Sequence, residues 1–262
     1  LVPCQVDRRG SVVKCGIDAD PTQPASLQKV YPETFIEKVK ECKNDHELLA
    51  CANSYRLTGF GVSATKEEVV LGRHSTHQLS PKALNYLIKK WHINCDSDFS
   101  TRFILKYGVA TFDQSPHFPY IKNSEGLFDI ISNLYNSYLH GNNQNALERA
   151  EELFQCHKDR LQDDLFSEHS YSLSSHVSTF YVQAESVSFL EWLYEQGVEA
   201  SWFNRQHSQR FPTPLQTLIL NHRIGTAQKI GKELGSDHFP IIIDYKIVKV
   251  ESMFHILTSA QI

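Results

Sequence analysis

Residues 213 to 235 read Thr-Pro-Leu-Gln-Thr-Leu-Ile-Leu-Asn-His-Arg-Ile-Gly-Thr-Ala-Gln-Lys-Ile-Gly-Lys-Glu-Leu-Gly, and this one stretch leaves its chain few ways to fold. Pro214 fixes its own φ and has no N–H to satisfy, so it suits the first turn of a helix, and the Thr213 hydroxyl can cap that turn. Leu215, Leu218, Ile219 and His222 recur at three- and four-residue steps and lay down one apolar stripe; after a short break Ile224, Ala227, Ile230 and Leu234 lay down a second. The spacing predicts two short helices back to back, with Gly235 placed where the second must close at positive φ. Neither helix can bury its stripe alone, so the pair needs neighbours on both sides.

Thr213-Pro214-Leu215-Gln216 and the two stripes resemble one ankyrin repeat. Upstream, Ser186 to Ala200 resembles the second helix and closing turn of another unit, through Phe180, Val187, Leu190 and Leu193 and through Gly197, which matches Gly235. Its first helix is expected over roughly residues 176 to 184. The spacing between the two glycines exceeds the usual repeat of about 33 residues, and the excess is assigned to a long hairpin finger from Ser201 to Pro212. A third unit is expected from Gly126 to Leu161. Its helices would be Leu127 to Leu139, presenting Ile130, Ile131, Leu134 and Tyr138, and Asn145 to Arg160, presenting Leu147, Ala150, Leu153 and Phe154, with the turn His140-Gly141-Asn142-Asn143 between them. In the last segment Ile243, Ile247, Val250, Phe254 and Leu257 keep a helical period suited to a closing helix, whereas Pro240 and the run Ile241 to Ile243 favour a strand.

Turn formers between Asp113 and Gly126 divide this region from a different N-terminal pattern. The expected organisation is a small α+β domain over residues 1–122, followed by an all-α ankyrin-like stack of about three degenerate repeats over 123–262. In the first domain a helix is expected from Pro32 to Lys43, with Phe35, Ile36, Val39 and Cys42 inward. A second, capped by Asp45, carries Leu48, Leu49 and Ala52, and a third opens at Ser80-Pro81 and runs to Trp91. Tyr55 to Ser63 and Glu68 to Leu71 read as strands, and Arg102 to Tyr107 with Val109 to Phe112 read as a hairpin about Gly108. Gly59-Phe60-Gly61 lacks a third glycine and, in this reading, no helix opens directly after it, so it reads as a glycine-bent strand and not as a dinucleotide fingerprint.

The chain has 26 basic and 30 acidic residues for a net charge of -4, which disfavours an electrostatic grip on nucleic acid by the whole chain. The charge is uneven: 16 Lys and Arg face 13 Asp and Glu in residues 1–122, against 10 and 17 in 123–262. The acidic repeat half therefore favours a basic or mixed protein surface over phosphate backbones. No apolar run approaches the roughly eighteen residues that a membrane span needs. Six scattered cysteines read as reduced thiols of a cytoplasmic protein, with Cys4 and Cys15 the pair able to close a loop in an oxidising compartment.

The ankyrin resemblance implies a protein partner on the concave face, lined by hairpin tips and first helices. The finger offers Trp202, Phe203, Arg205, His207 and Arg210, residue types enriched at binding hot spots, and the first helix offers Gln216 and Asn221. In the N-terminal domain, His74-x2-His77 and His92-x2-Cys95 have the donor types and spacing of a zinc site, the one cofactor that the residues suggest. Cys51 is the candidate nucleophile, with His74, His77 or His117 as base and Asp96, Asp98 or Asp113 to orient it. The layout also resembles that of bacterial effectors delivered into host cells, which implies host cytosol as the location. It leaves a second reading open: an enzyme, cysteine-protease-like or ADP-ribosyltransferase-like, whose substrate the repeats dock. No arginine, serine and paired-glutamate pattern of the transferase kind is present.

Overall fold

The computed structural model describes residues 4–6, 12–15, 27–74, 78–118, 121–166, 184–205 and 212–235. Most of them are helical, and the described strands are four short ones in two two-stranded sheets. The chain divides into two compact units, Leu1–Ile121 and Lys122–Ile262.

In the N-terminal unit β1 (Cys4–Val6) pairs antiparallel with β2 (Val12–Cys15), and the register sets Cys4 opposite Cys15. β3 (Gln28–Val30) pairs in parallel with β4 (Tyr55–Leu57), and the crossover between them is α1 (Pro32–Lys40) followed by α2 (Asp45–Ser54). Phe35, Val39 and Cys42 are buried, as the period of α1 predicts, while Ile36 stays half-exposed. The cap of α2 is Asn44, one residue before the expected Asp45. Its Oδ1 accepts from the Glu47 N–H at 3.0 Å, and Glu47 Oε2 in turn accepts from the Lys43 N–H at 2.7 Å, so two N–H groups near the helix start are satisfied together. α4 (Pro81–Trp91) starts where Ser80-Pro81 predicts and closes through His92 at φ 51°.

Three expected strands are helices. Glu68 to Leu71 falls at the end of α3 (Val62–Val70), and Arg102 to Phe112 falls in α5 (Ser97–Tyr107) and α6 (Val109–Gln114). α5 is started by Asp96, whose Oδ1 accepts from the Phe99 N–H at 2.9 Å, and Gly108 at φ +86° is the break between two helices, not a hairpin tip. Phe99, Phe103, Tyr107, Phe112 and Phe118 then pack as one aromatic core, with Phe103 at 5.1 Å from Phe118 and 4.9 Å from Tyr107.

The C-terminal unit begins with α7 (Ser124–Gly141), capped by Asn123, whose Oδ1 accepts from the Gly126 N–H at 2.7 Å. Asn142 at φ 47° ends it, and α8 (Gln144–Cys156) folds back against it. α9 (Lys158–Leu161) leads into a π-helical turn, Gln162–Phe166. In the next two described stretches come α10 (Ala184–Glu195), α11 (Ala200–Phe203), α12 (Pro214–Leu220) and α13 (Ile224–Glu233). Thr213 and Gln216 form a reciprocal capping box at the start of α12. Gly197 and Gly235 both adopt positive φ. The helix expected over residues 176–184 lies outside the described residues apart from its last position, and the segment 243–262 lies wholly outside them.

Candidate functional site

The apolar stripes of the C-terminal unit meet in an aromatic seam that runs from helix to helix. Phe128 and Tyr135 of α7 lie 5.6 and 5.3 Å from Phe189 of α10, and Phe154 of α8 lies 5.8 Å edge-on to Trp192 of α10. Phe166 meets Trp202 of α11 at 5.1 Å. Polar contacts run along the same unit between residues 35 to 41 positions apart. The Lys158 ammonium donates to the Gln196 carbonyl at 3.0 Å, 38 residues away, and Gln155 Nε2 donates to Gln196 Oε1 at 3.1 Å, 41 residues away. One step further, the Tyr194 hydroxyl donates to the Glu233 carboxylate 39 residues on, and the Thr226 hydroxyl donates to Glu191 Oε1 at 2.8 Å, 35 residues back. Arg223 reinforces Glu191 at 3.4 Å. Burial, with the Glu233 carboxylate behind it, pushes the Tyr194 phenol up to about 12, so that oxygen remains a donor across the neutral range.

The candidate binding residues divide on this frame. Trp202 and Phe203 are 1% and 0% exposed and pack perpendicular to each other at 5.0 Å, so they are core residues of a short helical turn and not the tip of a finger. The cause is that Phe166 and Tyr194 supply apolar faces for them, Tyr194 at 5.8 Å from Phe203. Arg205 is half-exposed just after that turn, and His207 and Arg210 lie outside the described residues. Gln216 is half-buried and its Oε1 accepts from the Thr213 N–H at 3.0 Å, so the capping box occupies its acceptor. Asn221 is exposed, with its amide donating to the Thr217 carbonyl at 2.8 Å. Leu220, 41% exposed on the same helix end, was absent from the candidates. Its signal was present in the sequence, because it falls off the Leu215, Leu218, Ile219 stripe.

Among the described residues, no candidate base or orienting carboxylate of the N-terminal unit acts on Cys51. Burial, followed by the neighbouring Cys42 thiol, pushes the Cys51 thiol up to about 12, the opposite of what a nucleophile needs. The groups that act on it are Cys42, Lys38 and Glu41, none of them an imidazole. We expect native Cys51 to react with iodoacetamide at pH 8 about a thousandfold more slowly than the same residue in urea, since the thiolate fraction falls with each unit of pKa. Exposed Cys156 should label at once. Peptide mapping after a timed pulse checks this, and prompt labelling of Cys51 would contradict it.

His74 Nε2 is held by Glu68 Oε2 at 2.7 Å, His92 caps α4, and the Cys95 thiol points to the Ile93 carbonyl at 3.7 Å. Burial pushes Cys95 up to about 11. His92, Cys95 and His117 border one cleft, but among the described residues no three His, Cys, Asp or Glu side chains are grouped to hold a metal ion; His77 lies outside them. The reading of Gly59-Phe60-Gly61 needs correction, because α3 does open directly after it, with Gly59 and Gly61 at φ +102° and +78°. No helix among the described residues is long and apolar enough to cross a membrane. Comparison of the chain with protein-family models, with curated proteins and with solved structures finds no match.

Proposed function

We propose that residues 123–262 form a short ankyrin-like stack that holds a partner protein, and that the chain acts as a protein-interaction scaffold. The observation that supports this reading is a recurring separation of 35 to 41 residues: Gln155 and Lys158 reach Gln196 in the turn after α10, and on α10 Glu191 and Tyr194 reach Thr226 and Glu233 of α13. Such a step is what one supersecondary unit stacked on the next produces, and stacked units of this kind use one continuous face for binding. Arg205, Leu220 and Asn221 mark that face at the ends of α11 and α12, with His207 and Arg210 following in the chain. The excess of acidic residues in this half favours a partner with a basic or mixed surface. The compartment proposed is the cytoplasm, or the host cytosol if the chain is a delivered effector.

The test is capture of partners by the purified full chain, identification by mass spectrometry, and titration with the purified partner. Arg205→Ala combined with Arg210→Ala should weaken the affinity by about thirtyfold or more, the size of a hot-spot loss, at an unchanged melting temperature. Equal affinity of the double variant and the parent would remove this face from the proposal.

A further inference from the structure

The N-terminal unit contains a cleft that the scaffold reading does not use. Its volume is about 650 Å³, within the range of about 300–1,000 Å³ typical of small-molecule sites. β4 contributes Tyr55 and Arg56, α3 contributes Lys66, and α4 contributes Lys90 and Trp91. Among the described residues no acidic side chain lines it.

Lys66 is half-buried, and burial alone pushes its ammonium below the usual lysine range. No carboxylate among the described residues reaches it, and the same holds for the exposed guanidinium of Arg56. Lys90 extends to the same cleft with its ammonium held by Asn53 Oδ1. Removing a cation from water without a counter-charge is costly, and an anion seated between these groups would offset that cost. The aromatic wall adds a second requirement. Trp91 is half-buried, packed edge-on against Phe35 at 6.1 Å, and it lines the cleft beside Tyr55. Indole surface next to clustered cations suits a planar ring joined to a phosphate.

We propose that this cleft binds a nucleotide, with the phosphates held by Arg56 and Lys66 and the base lying against Trp91. The Gly59 to Gly61 turn does not line the cleft, so recognition here differs from phosphate binding by a glycine-rich loop. The ligand class follows from the convergence of two cations without an acidic partner among the described residues, a tryptophan and a concave volume of suitable size.

The experiment is titration of the full chain with ATP, AMP and inorganic tripolyphosphate in magnesium-free buffer, by calorimetry and by tryptophan fluorescence. Of the three tryptophans, Trp192 and Trp202 are buried in the other unit, so quenching on addition of nucleotide reports on Trp91. ATP should bind and quench, AMP should bind more weakly, and added salt should weaken both. Lys66→Gln and Arg56→Gln should each reduce ATP affinity about tenfold, the size of one charge-assisted bond, with the melting temperature retained. Arg56 is exposed, so its variant keeps the test valid if the Lys66 variant fails to fold. Absence of ATP binding at millimolar concentration, equal affinity of the Arg56 variant and the parent, or tripolyphosphate binding as tightly as ATP would each overturn the proposal.

Discussion

Trp202→Ala should destabilise the C-terminal unit by about 3–5 kcal/mol, the range for truncating a buried aromatic to alanine. Trp202 is 1% exposed, and Phe166 and Phe203 meet its ring at 5.1 and 5.0 Å, both nearly perpendicular. An aromatic side chain of this kind buries about 150–250 Å², which at roughly 25 cal/mol per Å² amounts to about 4–6 kcal/mol as an upper bound. Edge-on partners add to that figure, and partial collapse of the cavity subtracts from it. Urea unfolding followed by circular dichroism measures the loss. A residue at the tip of an exposed finger would change stability by no more than about 0.5 kcal/mol, so a loss that small would restore the finger and remove Trp202 from the core.

Phe103→Ala should cost the N-terminal unit a similar amount, about 3–5 kcal/mol. Phe103 is 1% exposed at the centre of the cluster of Phe99, Tyr107 and Phe118. Phe103→Leu keeps most of the volume and should cost less than about 1.5 kcal/mol, so the difference between the two variants isolates the cavity. Ile104→Ala should also be costly, because Ile104 is fully buried next to it in sequence. Adjacent residues share a core on a helix, where positions 100, 103, 104 and 107 fall on one side, but point to opposite faces of a strand. A large loss at Phe103 with none at Ile104, measured by the same unfolding curves, would favour the hairpin over α5.

Helix starts were legible where cap chemistry and period agree: Ser80-Pro81 opens α4, and Thr213-Pro214 opens α12 with Gln216 completing the box. The turn about Asn142 was legible because glycine and asparagine interrupt two strong apolar stripes. Residues 102–112 resemble strands in sequence because Phe, Ile, Tyr and Val carry high strand propensity and Gly108 looks like a hairpin tip, while burial on one side of α5 outweighs that preference. Asp96 was the overlooked signal, a good cap followed at three- and four-residue steps by Phe99, Phe103 and Tyr107. The fates of Trp202 and Phe203 were not legible at all. Aromatics are enriched both in cores and at binding hot spots, and only the positions of Phe166 and Tyr194 decide between the two. The basic cleft is not legible in the sequence for a related reason: Arg56, Lys66 and Trp91 come from three separate elements, and nothing in their spacing announces that they meet.

The stacking of successive second helices is the claim on which the binding face depends, and distances between spin labels measure it directly. Gln155, Glu195 and Lys232 are exposed positions on α8, α10 and α13, and they can be labelled in pairs in a chain whose other reactive cysteines have been replaced. Neighbouring helices pack about 8–10 Å apart, so the stack predicts two short and similar distances, from 155 to 195 and from 195 to 232, with the distance from 155 to 232 close to their sum. Three equal distances would describe a closed bundle with no extended face, and that result would contradict the account.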